Sequence, residues 1–324
     1  MNQAVEPPDY ELDKISRIKI ANSIYVVSPA IKDALISIDR CRNSFKIKPE
    51  PNCILVYGDR GTGKTSLIRR YIHENQRRQL DDGSTHLPVF MCEVHAASTV
   101  SQFYSSVLKG LGDLLPEKGS TTAKGERLHR LLRDLGTELI IIDEFHELLD
   151  GQVKKVMTNV ASAIKTLINQ TKIPVVLSGT GTAKMVLDAN QELRRRFRTS
   201  VELPRFTIFS EDEIIVFRKF LAKYDKSLPF KDVSNLAGPD MYKRIFAASI
   251  GLPSGVASLI SEASELAIYA GADRIEMEHL AEGYEIALGD QTHIAKNPFE
   301  VSMSDLKQWK VMNFKDFPTI AKTT

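Results

Sequence analysis

The chain is expected to be an α/β protein: a parallel sheet sandwiched by helices and followed by a smaller helical domain. Three observations predict this. The pattern Gly58-Asp59-Arg60-Gly61-Thr62-Gly63-Lys64-Thr65-Ser66 stands between an apolar run, Cys53-Ile54-Leu55-Val56-Tyr57, and a stretch carrying Leu67, Ile68, Tyr71 and Ile72 at helical spacing. Apolar runs then alternate with amphipathic stretches as far as about Pro204, the signature of strands joined by crossover helices. Beyond Pro204 no strand-like run recurs, and to about Leu288 the apolar residues repeat at helical intervals, which reads as a helical lid.

Composition bounds the answer. With 324 residues and 43% hydrophobic content the chain can build one large or two modest cores. No apolar stretch approaches bilayer length, and the first residues lack the basic-then-apolar pattern of a signal peptide. Cys41, Cys53 and Cys92 form no C-x-x-C pair, which favours reduced, buried thiols and a cytoplasmic setting over a disulfide framework or a zinc site. A net charge of +2 does not by itself announce a nucleic-acid partner, so any such contact must come from a local basic patch.

Residues 1–18 are polar, carry Pro7-Pro8 and read as a flexible arm. Ser28 and Pro29 supply an N-cap and first helical residue for a helix with Ile31, Leu35 and Ile38 on one face, reaching about Phe45. After the first strand, glycines at 58, 61 and 63 let the backbone turn tightly and offer its N–H groups to phosphates, with the next helix adding its positive end. In such a loop Lys64 reaches the β- and γ-phosphates and Thr65 binds Mg²⁺. The next elements are a strand over 87–94, helices near 100–115 and 126–135, the strand Leu139-Ile140-Ile141-Ile142-Asp143, a helix near 153–169 and the strand Ile173-Pro174-Val175-Val176-Leu177. Ser210-Glu211-Asp212-Glu213 is a capping box for a helix with Ile214, Phe217 and Leu221 on one face. The expected division is an arm at 1–18, a nucleotide-binding core at 19–206, a lid at 207–289 and a tail at 290–324. Trp309, Phe314 and Phe317 recur among Lys307, Lys310 and Lys315 in that tail. This suits a partner-docking strip, with packing of the same aromatics onto the lid as the alternative.

The chemistry concentrates where the 139–143 strand ends. Asp143 is expected to bind Mg²⁺ and Glu144 to orient and polarise the attacking water; the bland alternative is that two acids cap the following helix. His146 completes an Asp-Glu-Phe-His string and is read as a polar residue at a helix start. Ser178 and Thr180, at the end of the next strand, suit either contact with the attacking water or γ-phosphate or simple strand termination. Arg194, Arg195, Arg196 and Arg198 crowd one turn. They form a solvated basic patch or, at this position before the last strand, an arginine finger for a neighbouring subunit's γ-phosphate.

The order of P-loop, Asp143-Glu144, polar strand end, Arg195-Arg196-Phe197 and helical lid resembles the AAA+ ATPases over about residues 20–290. Within them, Leu139 to Leu149, Leu177-Ser178-Gly179-Thr180, Arg195-Arg196-Phe197 and Leu203-Pro204 resemble the TniB/TnsC family of transposition regulators. The arginine directly before phenylalanine, Arg196, holds the finger position in related AAA+ proteins. One departure stands out: many AAA+ lids carry an arginine after Gly-x-Pro, whereas this chain has Gly251-Leu252-Pro253-Ser254-Gly255.

The resemblance implies an ATP- and Mg²⁺-dependent enzyme hydrolysing ATP to ADP and phosphate. It implies a homo-oligomeric ring or filament that winds around duplex DNA and links a TniQ/TnsD-like target selector to a DDE transposase. For DNA, the residues offer Lys109, Lys118, Lys124, Arg127 and Arg130, near Gly119-Ser120-Thr121-Thr122, as a face for backbone phosphates without base reading; an exposed helix face is the alternative. Two other functions share this core: a replication-initiation or helicase-loading ATPase, and a nucleotide-switched signalling module. A replication initiator is expected to add a DNA-reading domain, and few residues follow Leu288.

Overall fold

The computed structural model describes residues 9–47, 49–93, 99–147, 154–289, 296–309 and 312. Contacts divide the chain into two compact units: Ala30–Pro204, and Met1–Pro29 together with Arg205–Thr324. The boundary falls between Pro204 and Arg205, and residues 19–29 group with the helical unit.

Among the described residues, the helices are α1 (Lys14–Ser23), α2 (Pro29–Asn43), α3 (Lys64–Glu74), α4 (Val100–Leu111), α5 (Thr121–Asp134), α6 (Lys154–Thr171), α7 (Gly181–Ala189), α8 (Gln191–Arg196), α9 (Glu211–Lys226), α10 (Met241–Ser249), α11 (Pro253–Ala270), α12 (Met277–Ala287) and α13 (Met303–Lys307). The strands are β1 (Ile54–Tyr57), β2 (Arg78–Gln79), β3 (Thr85–His86), β4 (Val89–Glu93), β5 (Leu139–Asp143), β6 (Val175–Gly179) and β7 (Thr199–Glu202). Five of them form a parallel sheet in the order β4-β5-β6-β1-β7. Continuous aliphatic runs make the central strands because both faces are covered: every residue of β5 and β6 is buried. The core of this unit runs from Leu55, Ile140, Ile142 and Leu177 to Leu108, Leu128 and Ile164 on the covering helices. The three cysteines are free and buried within this unit, and burial pushes the Cys53 and Cys92 thiols up to about 12.

The short antiparallel pair β2-β3 had no apolar alternation to announce it. Two helix boundaries also differ from expectation for local reasons. Helix α4 stops at Leu111 because Gly112 takes a left-handed φ of 93° and caps it. Helix α5 starts earlier, at Thr121, where the Ser120 hydroxyl accepts from the Ala123 N–H.

The helical unit corrects two expectations. Residues 14–18, expected to belong to a flexible arm over 1–18, are instead the first part of α1. Asp13 caps α1, Lys14 Nζ donates to the Tyr269 carbonyl at 3.0 Å, Arg17 Nε donates to the Pro229 carbonyl at 3.1 Å, and Ala21 is buried. The start of the tail is likewise part of the unit. Arg244 Nη1 donates to the Val301 carbonyl at 2.9 Å, Asn297 Nδ2 to the Ala281 carbonyl at 2.9 Å, and Phe299 and Leu306 are buried. Of the expected docking strip, Phe314, Phe317, Lys310 and Lys315 lie outside the described residues, whereas Lys307 is exposed and Trp309 half-buried. An aromatic cluster of Phe206, Phe217, Phe220 and Phe246 fills the centre, with Phe206 and Phe220 ring centroids 4.6 Å apart. Among the described residues no single helix is long and apolar enough to cross a membrane.

Candidate nucleotide site

The segment from Gly58 to Ser66 runs from the C-terminal end of β1 into the first turn of α3, at the edge of a parallel sheet where ligands bind. Its glycines are dictated by geometry. A Cβ on Gly58 would stand 2.3 Å from the Leu203 carbonyl oxygen, and Gly63 holds a left-handed φ of 95° at the N-cap of α3. Gly61 is left-handed too, with φ 83°. Thr62 closes the turn by donating to the Asp59 carbonyl at 2.9 Å. Lys64 is buried, and its Nζ donates to the carbonyls of Gly58 and Asp59, both at 2.8 Å. Burial pushes its pKa below the ordinary lysine value, while Glu144, Asp143 and Asp59 pull it back up. Arg60 and Ser66 are exposed.

Strand β5 delivers its acids beside this loop. Asp143 is buried, and its Oδ2 accepts from Thr65 Oγ1 at 3.3 Å while its Oδ1 accepts from the Glu144 N–H at 2.9 Å. A hydroxyl and a carboxylate oxygen side by side are the hard donors that Mg²⁺ prefers, and the loop amides, Lys64 and the start of α3 supply the positive potential a polyphosphate needs. Nucleotide and metal therefore fit the residues present. Glu144 turns out of the strand with φ 54°, a left-handed value uncommon for a residue with a Cβ.

The structure brings Ser178 and Thr180 to the same end of the sheet. Ser178 is fully buried in β6 opposite Val56; its carbonyl accepts from the Phe145 N–H at 2.9 Å, and among the described residues its Oγ has no hydrogen-bond partner. Thr180 precedes α7, and its hydroxyl pairs with that of Thr182 at 2.6 Å. His146, expected to be a polar residue at a helix start, is instead buried between Glu144 and Thr180. Gly179, the last residue of β6, was the available sequence signal for such a close approach.

The arginine cluster lies elsewhere. β7 begins at Thr199 opposite Ile54, the first residue of β1. Arg196 Nη2 donates to Asn169 Oδ1 at 2.5 Å and lies 3.7 Å from Glu50 Oε1, both residues preceding the sheet's strands. It is half-buried, whereas Arg194, Arg195 and Arg198 are exposed; Arg194 Nε lies 3.6 Å from Asp188. The cluster thus sits at the N-terminal end of β1 and the P-loop at its C-terminal end, roughly 10–13 Å of strand apart.

The basic set on α4, α5 and the loop between them does not form one phosphate-binding face. Lys109, Lys118 and Arg130 are exposed. Lys124 is buried, donating to Ser105 Oγ at 2.7 Å and Ser101 Oγ at 3.1 Å. Arg127 pairs with Asp113 at 2.5 Å and donates to the Leu115 and Lys118 carbonyls. Both are spent on holding the α4–α5 loop, which the side-chain charge alone did not reveal.

Comparison with known proteins gives a family and a fold. Residues 16–208 match the model of the bacterial TniB protein family. No curated protein matches the chain. Among solved structures it is similar to the Aeropyrum pernix ORC1 protein in complex with DNA, at 19% identity and a TM-score of 0.57, covering 82% of this chain and 68% of that one. It is also similar to the Aeropyrum pernix ORC2 protein in its ADPNP-ADP complexes (14% identity, TM-score 0.55, 90% and 74% covered) and to Cdc6p from Pyrobaculum aerophilum (15%, 0.56, 83% and 71%). At these identities what is shared is the fold.

Proposed function

The chain belongs to the TniB family and is an ATPase of the AAA+ fold; from that premise we propose that it is an ATP-dependent regulator of DNA transposition. It assembles as a homo-oligomer on duplex DNA and links a target-selection protein to a transposase. The observation that carries the assembly is the separation of the arginine cluster from the P-loop along β1. An arginine at the far end of the sheet cannot reach the phosphates bound by its own Lys64, but a head-to-tail neighbour can present it.

In this reading the amides of residues 58–66 and Lys64 hold the phosphates, and Thr65 and Asp143 hold Mg²⁺. When bound, that ion neutralises charge on the phosphate oxygens. Glu144 orients and polarises the attacking water, Ser178 or Thr180 hydrogen-bonds it or the γ-phosphate, and Arg195 or Arg196 of the neighbour stabilises charge at the transition state. The exposed Lys109, Lys118 and Arg130 are the part of the basic set that remains available to DNA phosphates.

Electron microscopy and mass measurement of the full chain with duplex DNA, with and without a non-hydrolysable ATP analogue, test the reading. Expected is an ordered assembly on DNA that requires the analogue, weakens steeply with salt, and recruits a transposase. Nucleotide-independent monomers with no retention of DNA at low salt would overturn it.

A further inference from the structure

The site contains one buried imidazole to which the reading above gives no role. His146 is 6% exposed, and its Nδ1 lies 3.2 Å from Glu144 Oε2 and 3.5 Å from the backbone nitrogen of Thr180. Among the described residues its buried Nε2 has no hydrogen-bond partner. The ring is closely fitted: a Cβ on Gly179 would come within 3.2 Å of both the His146 backbone nitrogen and Nδ1, and within 2.9 Å of Ala183 Cβ.

One ring nitrogen cannot serve both partners at once. Carrying the proton, Nδ1 donates to Glu144; without it, Nδ1 accepts from the Thr180 N–H. The second nitrogen decides between them. A buried Nε2–H with no acceptor is costlier than a bare Nε2 with an unused lone pair, and the contact to Glu144 is the shorter of the two. Both points favour the tautomer whose Nδ1–H faces Glu144 Oε2, in place of the Thr180 N–H that the structure directs at Nδ1. The Glu144 N–H donated to Asp143 Oδ1 accompanies the left-handed φ of 54° that turns the Glu144 side chain toward this ring.

We propose that His146 is a positioning residue for ATP hydrolysis: its Nδ1–H fixes the Glu144 carboxylate, and its alternative bond from Thr180 couples that carboxylate to the end of β6. The inference rests on the reading of Glu144 as the residue that polarises water. A group acting through Glu144 affects turnover and leaves nucleotide affinity alone.

The test uses the full chain and steady-state ATP hydrolysis alongside binding of a non-hydrolysable analogue. His146→Leu is expected to lower kcat roughly ten- to a hundredfold, with KM and analogue affinity within about twofold of wild type. His146→Asn places an amide nitrogen where Nδ1 stood and is expected to recover much of the loss; His146→Gln, which reaches the Nε2 position, is not. In a Glu144→Gln background His146→Leu should leave the residual single-turnover rate unchanged, because the group it positions is gone. Wild-type kcat in His146→Leu overturns the proposal, as does an equal fold-loss with and without Glu144. If His146→Leu does not fold, the Asn and Gln pair decides: equal activity of the two overturns it. Wild-type turnover in Glu144→Gln alone would remove the underlying reading, whereas an inactive Glu144→Gln beside an unimpaired His146→Leu would remove only this inference.

Discussion

Lys64 shows how a single side chain is prepared for its ligand. Its ammonium is held by two loop carbonyls within a buried environment that lowers its pKa. Polyphosphate oxygens compensate that charge better than carbonyls do. Lys64→Ala is therefore expected to reduce nucleotide affinity about a hundredfold, a loss of the size of a buried charge-assisted contact; titration with a fluorescent ATP analogue measures it, and unchanged affinity would contradict the assignment. The pH dependence has a definite sign. The free-protein pKa is depressed and bound phosphates raise it, so between the two values binding takes up a proton, and affinity declines as pH rises through the bound-state value. Calorimetry in two alkaline buffers of different ionisation enthalpy should detect that uptake, and buffer-independent heats would count against it.

At the scale of elements, what could be read from the sequence was what local chemistry dictates. The aliphatic runs of β1, β5 and β6, the P-loop glycines and the Ser210–Glu213 capping box, in which both reciprocal bonds form, are short-range patterns with short-range causes. Less legible were elements stabilised by distant partners. Helix α1 is polar and buries only Ala21, so nothing local separated it from an arm; its contacts come from Pro229 and Tyr269. Lys124 counted as surface charge, yet two serines on α4 and the carboxylate of Glu117 surround it. Lys124→Met is accordingly expected to destabilise the α4–α5 pair by about 1–3 kcal/mol, the cost of stranding buried hydroxyls, while leaving the salt dependence of DNA binding unchanged. Lys118→Glu should do the reverse, sparing stability and reducing the slope of log affinity against log salt by about one unit per lost phosphate contact. Denaturant unfolding and DNA binding at several salt concentrations separate the two; a changed salt slope in Lys124→Met would restore it to the DNA face.

For the whole molecule the decisive question is whether the site is composite. By resemblance the arginine directly before Phe197, Arg196, ranks ahead of the adjacent Arg195 as the candidate finger. Their surroundings differ: Arg196 is tied to Asn169 and lies near Glu50, whereas Arg195 is exposed and its carbonyl accepts from Arg198 Nε. An intermolecular finger has to leave its own subunit's surface. Among the described residues Arg195 can do so without breaking a side-chain bond, while Arg196 must first release Asn169, so assembly itself would have to remodel that contact. Mixing experiments distinguish the cases. Subunits carrying Arg195→Ala or Arg196→Ala keep Glu144, and Glu144→Gln subunits keep both arginines. Random mixing then restores about a quarter of head-to-tail interfaces to a complete set. ATP turnover in the mixture above that of either variant alone is expected for the arginine that acts in trans. If both arginine variants stay inactive when mixed while the assemblies form normally, the finger lies elsewhere in the chain; if Arg196→Ala alone is complemented, its bond to Asn169 is a resting-state latch that the neighbouring subunit opens.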